Sequence, residues 1–289
     1  MTNTTILSPE KDPMGAAILD YQILGKAGKL SVLSSMFEED EMPVKHLFRN
    51  FEEMPILEQT ALKLAKGHVL DVGAGAGCHA LALQMWMEDG SLKEKIDNSP
   101  KEKYTEEKIS SVKAIDISPL SCEAMKLRGI KDVECINLFD NHLSCGEIAN
   151  PTTGFDTILL LMNGTGIAGK IANLPALFTR LKSLLNKNGQ ILIDSSDLKY
   201  IYENEDGSID IDLNAAYYGE VDYQMVYHGK QNTKRKGKKL KGELIKGEPF
   251  DWLYVDFPLL KSIAESCGLH CELIEKGEHY DYLAKISLL

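Results

Sequence analysis

Long apolar runs, paired cysteines and a surplus of basic residues are all missing from this 289-residue chain. Its longest apolar run, Ile158 to Met162, falls well short of the roughly 18 residues needed to span a bilayer. The opening MTNTTILSPEKDP lacks the basic start and apolar core of a secretory signal. Six cysteines stand at 78, 122, 135, 145, 267 and 271 with no CxxC pair, so they read as reduced, mostly buried thiols of a cytoplasmic protein. Cys267, His270 and Cys271 do not make a four-ligand set, and no metal is expected. Lys plus Arg number 32 against 43 Asp plus Glu, a net charge of -11. Such a surface repels phosphate backbones, which disfavours nucleic acid and anionic membranes as partners. What is present is ordinary: 44% hydrophobic and 26% charged residues exclude disorder throughout. A chain of this length buries a core without disulfides or structural metal.

The first third reads as helical. Apolar residues cluster from Ala16 to Leu24 before Gly25, and again at three- and four-residue steps from Val44 to Leu64, with Gly67 as a stop. From His68 short apolar strands alternate with helices. Strands are expected at 69–72, 112–117, 133–136, 155–161 and 190–194, with helices at 80–87, 119–128 and 174–185 between them. That alternation predicts a doubly wound, mostly parallel sheet with helices on both faces. The end differs, since strands at 271–275 and 282–288 follow a helix at 258–267 and are joined by too short a link to be parallel. Two stretches read as insertions. Residues 88–111 carry 12 charged residues in 24 and predict a solvated excursion. Residues 229–247 hold eight Lys or Arg against Glu243, between two aromatic-rich segments, and predict a β-hairpin arm over about 216–256 with a basic tip.

The most informative stretch is VLDVGAGAGCHALAL, Val69 to Leu83. A strand ending in Asp71 opens through Gly73, Ala74, Gly75 and Gly77 into a helix. The glycines let a ligand approach the backbone, and the helix N-terminus offers free N–H groups to it. A dinucleotide fingerprint needs glycine at the sixth position, where this chain has Cys78. Asp116 ends the next strand, where a carboxylate can accept hydrogen bonds from two ribose hydroxyls. It lies 39 residues beyond Gly77 instead of about 20, and the charged stretch supplies the surplus.

This D-x-G-x-G-x-G pattern, with Asp116 and the antiparallel end in register, resembles the class I S-adenosylmethionine-dependent methyltransferases from about Lys66 to Leu289. The resemblance implies a Rossmann-like domain over 67–289 with a seven-stranded sheet, and an N-terminal helical lid over 1–66. It implies S-adenosyl-L-methionine as cofactor, held by the glycine turn and by Asp116. Asn137 would stand where the family often has an adenine-binding Asp, with Asp140 as fallback. Ile117 and Leu138 would sandwich the adenine, and Met162 and Asn163 would face the methionine part and the acceptor. Asn163-Gly164-Thr165-Gly166 departs from the Asn/Asp-Pro-Pro-aromatic motif of base and amino-group enzymes, so that subclass is disfavoured; the acceptor is expected to be a small molecule. Gly164, Gly166 and Gly169 either let the loop pass close to the cofactor or only make it flexible.

No catalytic base is named. Candidate substrate residues are Arg49, His79 and Asp197, each with a plain structural alternative: a salt bridge with Glu52 or Glu53, local hydrogen bonds, and a turn or cap. Three other functions stay open: an RNA or protein methyltransferase docking through the Lys-rich arm, an NAD(P)-dependent reductase, and a cofactor-binding protein without turnover. A homodimer stays open too.

Overall fold

The computed structural model describes residues 5–89, 108–143, 154–211, 214–229, 233–235, 238–240 and 244–289. Most of the charged stretch, 90–107, and much of the Lys-rich tip lie outside the described residues. In chain order the helices are α1 (Pro13–Leu24), α2 (Ile56–Leu64), α3 (Cys78–Asp89), α4 (Pro119–Leu127), α5 (Leu174–Leu184) and α6 (Phe257–Ser266). The strands are β1 (Lys29–Leu33), β2 (Asp40–Glu41), β3 (Gly67–Val72), β4 (Ile109–Asp116), β5 (Asp132–Cys135), β6 (Phe155–Leu160) and β7 (Leu185–Ser196). They continue as β8 (Glu220–His228), β9 (Thr233–Arg235), β10 (Lys238–Leu240), β11 (Leu244–Lys246), β12 (Phe250–Leu253), β13 (Leu269–Lys276) and β14 (Asp281–Leu288).

Local chemistry sets the helix ends. Asp12 caps α1, its Oδ1 accepting from Gly15 N at 2.8 Å, and Gly25 stops the helix in the left-handed region. Ser118 caps α4 ahead of Pro119, and Asp256 caps α6 ahead of Pro258. The main sheet runs β13-β14-β7-β6-β3-β4-β5. β5, β4, β3, β6 and β7 run parallel to one another, whereas β14 is antiparallel to β7 and β13 to β14. The strand order reverses between β3 and β6, which opens a crevice at their carboxyl ends. One face is covered by α5 and α6 through Leu177, Phe178, Leu181 and Leu260. The other is covered by α2, α3 and α4 through Leu57, Leu62, Leu83, Trp86 and Met125.

The first third is not wholly helical. β1 lies between β2 and β8, antiparallel to both, and Leu30 pairs with Tyr227. Five alternating residues have no visible period on their own, and the partner strand is almost two hundred residues away. β8 also pairs antiparallel with β11 and β12, so the segment around 216–256 and the N-terminal segment share one sheet. Ile18, Leu30, Leu47, Tyr227 and Ile245 bury a third core here together with Ala76, Leu120 and Ala124 of the main domain. Among the described residues no helix is long and apolar enough to cross a membrane.

Candidate active site

β3 delivers Asp71 to the carboxyl edge. Its Oδ2 accepts from Ala80 N at 3.2 Å and so holds the first turn of α3, while burial raises its carboxyl pKa. Gly73, Gly75 and Gly77 all have positive φ (66°, 57° and 77°). Gly77 is also pressed from outside, since a Cβ there would stand 2.3 Å from Ile130 Cδ1. Asp116 ties this turn to β4. Its Oδ2 accepts from Gly75 N and its Oδ1 from Ser118 N, both at 2.8 Å. Burial pushes its carboxyl up to about 6, against the pull of those two backbone donors.

The N-terminal segment meets the same edge. Leu7 N donates to Ile117 O at 2.9 Å, and Ser118 Oγ donates to Asp12 Oδ2. Ile18 Cδ1 lies 4.0 Å from where a Cβ of Gly75 would stand, so α1 lies against the glycine turn. Asn137 Oδ1 accepts from Phe139 N at 2.9 Å. Leu138 is buried in the core, and its carbonyl accepts from Arg180 Nε at 2.7 Å. Asp140 accepts from His142 instead.

A buried polar chain runs beneath the crevice. Arg49 Nη2 donates to Glu58 Oε1 and Oε2 at 2.8 and 3.0 Å, and lies 3.7 Å from Met162 Sδ. Arg49 therefore pairs with Glu58 on α2, not with Glu52 or Glu53. Glu58 Oε2 is 2.7 Å from His79 Nε2, and His79 Nδ1 is 4.0 Å from Asp71 Oδ1. Burial opposes a charge on His79, but Cys78, the Glu58 carboxylate and Asp71 outweigh it and raise the imidazole well above its usual pKa. Arg49 Nε is buried and has no hydrogen-bond acceptor. Nothing in the local sequence marks Glu58 as buried. On a helix of mixed polarity it reads as a solvated charge.

Beyond β6 the chain makes two successive left-handed turns without glycine, Met162 (φ 65°) and Asn163 (φ 60°). Such strain persists only where neighbours enforce it. Asp194 of β7 does so, its Oδ2 accepting from Met162 N at 3.1 Å and its Oδ1 from Gly164 N at 3.2 Å. Burial lifts the Asp194 carboxyl to about 7, with the two donors pulling the other way. Gly166 has a packing reason for its missing side chain. A Cβ there would stand 1.8 Å from the Trp252 ring, so β12 rests on this loop.

Ser196 Oγ donates to Asn163 Oδ1 at 2.9 Å and links the strained turn to a cavity of about 270 Å³. Its lining is Phe37, Ser196, Leu198, Tyr200, Tyr223, Tyr254 and His279. The β1–β2 connection, β7 and its following turn, β8, the end of β12 and the β13–β14 turn thus meet at one point. Asp197 lies outside this lining and caps the Leu198–Tyr202 turn, accepting from Lys199 N and from the Tyr218 hydroxyl. A larger, shallow hollow of about 460 Å³ lies along α4, but its lining includes none of the residues at the ends of β3, β6 or β7.

A crystal structure of an S-adenosylmethionine-dependent methyltransferase from Bacteroides fragilis, in complex with S-adenosyl-L-homocysteine, is 48% identical to this chain. The match covers 100% of this chain and 99% of that one at a TM-score of 0.78. The chain belongs to the S-adenosylmethionine-dependent methyltransferases. Two more distant methyltransferases share the fold alone. CcbJ from Streptomyces caelestis is 11% identical over 97% of this chain and 99% of that one, TM-score 0.54. Another, from Clostridium acetobutylicum ATCC 824, is 10% identical over 82% and 93%, TM-score 0.51. No protein-family model and no curated protein matches the sequence. The cofactor of this methyltransferase is S-adenosylmethionine, and the reductase reading is set aside.

Proposed function

We propose that this methyltransferase acts on a small molecule held in the cavity beside Ser196. The observation that carries the reading is the cavity's size and place. About 270 Å³ is close to the lower end of the roughly 300–1,000 Å³ of small-molecule sites. The Ser196–Asn163 hydrogen bond joins it to the end of β6, on the edge shared with the glycine turn.

The residues present fit the cofactor. Arg49 Nε is a buried donor lacking an acceptor, and a carboxylate such as the methionine end of the cofactor would supply one. In this reading Gly73 to Gly77 receive the cofactor along the backbone and Asp116 accepts from the ribose hydroxyls, using lone pairs its two backbone donors leave over. Ile117, Asn137 and Leu138 line the adenine end. Bound there, the cofactor supplies a methyl group made electrophilic by a sulfonium. The protein's own part is to orient and dry the site: Asp194 fixes the Met162–Asn163 turn, and α1 with the segment to Phe51 closes over the edge as a lid. Docking of RNA or protein through the Lys-rich arm is not needed to form the cavity.

The test is transfer from tritiated cofactor into the low-molecular-weight, protein and RNA fractions of a cell extract. Label confined to the small-molecule fraction supports the reading. Label confined to macromolecules refutes it.

A further inference from the structure

We propose that the acceptor is a small, uncharged aromatic compound methylated on a ring hydroxyl, with His279 taking the proton. This rests on the reading of the Ser196 cavity as the acceptor site. Four of its seven lining residues are aromatic, namely Phe37, Tyr200, Tyr223 and Tyr254, and none is Asp, Glu, Lys or Arg. A planar ring gains offset or edge contacts with such walls. A carboxylate or phosphate would lose its hydration with no cation to replace it. An ammonium group could lie over the rings, but while protonated it has no lone pair with which to attack.

The polar groups present suit a neutral hydroxyl. The Tyr223 and Tyr254 hydroxyls lie 3.1 Å apart and bond to each other. Burial raises both phenols above their ordinary pKa, so they remain neutral groups able to donate and accept. Ser196 joins this cavity to the end of β6. In the β14–β7 ladder Asp281 stands opposite Ser196, and Tyr280 O accepts from Asp197 N at 2.9 Å. The β13–β14 turn is thereby fastened beside Ser196, and it carries His279 at the exposed mouth. The His279 backbone N–H is held by Asp281 Oδ1 at 3.0 Å, while its ring has no hydrogen-bond partner among the described residues.

The step balances without a further reagent. The oxygen–methyl bond forms as the sulfur–methyl bond breaks, and the electron pair of the broken bond stays on sulfur. The hydroxyl proton passes to a His279 ring nitrogen and then to water at the mouth. A ring nitrogen of a neutral imidazole has the lone pair this exchange needs.

The experiment uses the full chain saturated with S-adenosyl-L-homocysteine, titrated calorimetrically with phenol, catechol, cyclohexanol, benzoate and benzylamine. The same compounds are then offered with S-adenosylmethionine, and products are identified by mass. Phenol or catechol should bind at millimolar concentration and yield an aryl methyl ether, with the other three binding at least tenfold more weakly. Tyr223→Phe with Tyr254→Phe should raise KM, whereas His279→Gln should lower kcat by roughly 10²-fold or more with KM nearly unchanged. Methylation of cyclohexanol or benzylamine in preference to the phenols overturns the aromatic assignment and leaves the small-molecule reading standing. So does failure of phenol and catechol to bind while the extract's small-molecule fraction is labelled. Label only in protein or RNA overturns the underlying reading instead. A full kcat in His279→Gln removes the histidine from the mechanism.

Discussion

Glu58→Ala should destabilise the protein severely although the residue lies outside every glycine, acid and aromatic pattern in the sequence. The Glu58 side chain is 6% exposed and its partner Arg49 15% exposed. Removing the carboxylate leaves the guanidinium without its partner, beside an Nε that already lacks an acceptor. It also takes away the group 2.7 Å from His79 Nε2. Breaking a buried pair from one side costs about 3–5 kcal/mol. That is a large part of the roughly 5–15 kcal/mol that holds a typical domain folded. At roughly 2–4 °C per kcal/mol for a larger domain, Tm should fall by about 6–20 °C. Arg49→Met with Glu58→Ala should recover part of the loss, because the guanidinium is then no longer buried without its partner. The remaining deficit belongs to His79. Urea unfolding followed by near-UV circular dichroism gives the four free energies of the cycle. A Glu58→Ala loss below about 1 kcal/mol, with the double variant merely the sum of the singles, would show that the pair is not coupled and that the buried network carries no load.

Asp116→Ala should weaken S-adenosyl-L-homocysteine binding by about 1.5–3 kcal/mol in calorimetry, the loss of a charged acceptor; affinity unchanged within a factor of about two would place Asp116 outside the site. Because the wild-type carboxyl sits at about 6, cofactor affinity should fall as pH drops below that value, and Asp116→Asn should flatten the fall. Asp194, raised to about 7, favours the protonated form in the fold. Its contribution to stability is therefore full below the unfolded value of 3.8 and is lost as pH rises through about 7. Asp194→Asn should gain stability relative to wild type from pH 4 to 7.5 in urea melts, and a constant offset would contradict the raised value. Deuterium exchange should slow in residues 14–55 on cofactor binding; protection limited to the glycine turn and Asp116 would mean that α1 and its neighbours pack for stability and form no lid.

The central sheet and its cofactor were legible because their signals are local. Val69–Val72 followed by three glycines carries a strand, a turn and a helix start within a dozen residues, and Asp116 recurs at the corresponding end of the next strand. The same holds for α4 behind Ser118-Pro119 and for the terminal β13–β14 pair, whose short link permits one direction only. What tertiary structure alone decided is long-range. β1 becomes a strand by pairing with β8, a partner distant in sequence, and five residues have no period strong enough to announce it. Glu58 is an ordinary acid in the sequence, and Asp194 shows there only as the end of a strand at the ligand edge of the sheet. Only the packing of α2 against α3, and of β7 beside the Met162 turn, buries them and fixes what they hold. Gly166 read either as a close approach to the cofactor or as freedom for a loop, whereas in the fold its missing side chain admits the Trp252 ring. The cavity is the extreme case. Phe37, Ser196, Tyr223, Tyr254 and His279 come from five separate elements, and no spacing in the chain relates them. A binding surface assembled from loop ends depends on where the sheet places those ends, so the cofactor could be read from one motif, whereas the acceptor pocket required the folded chain.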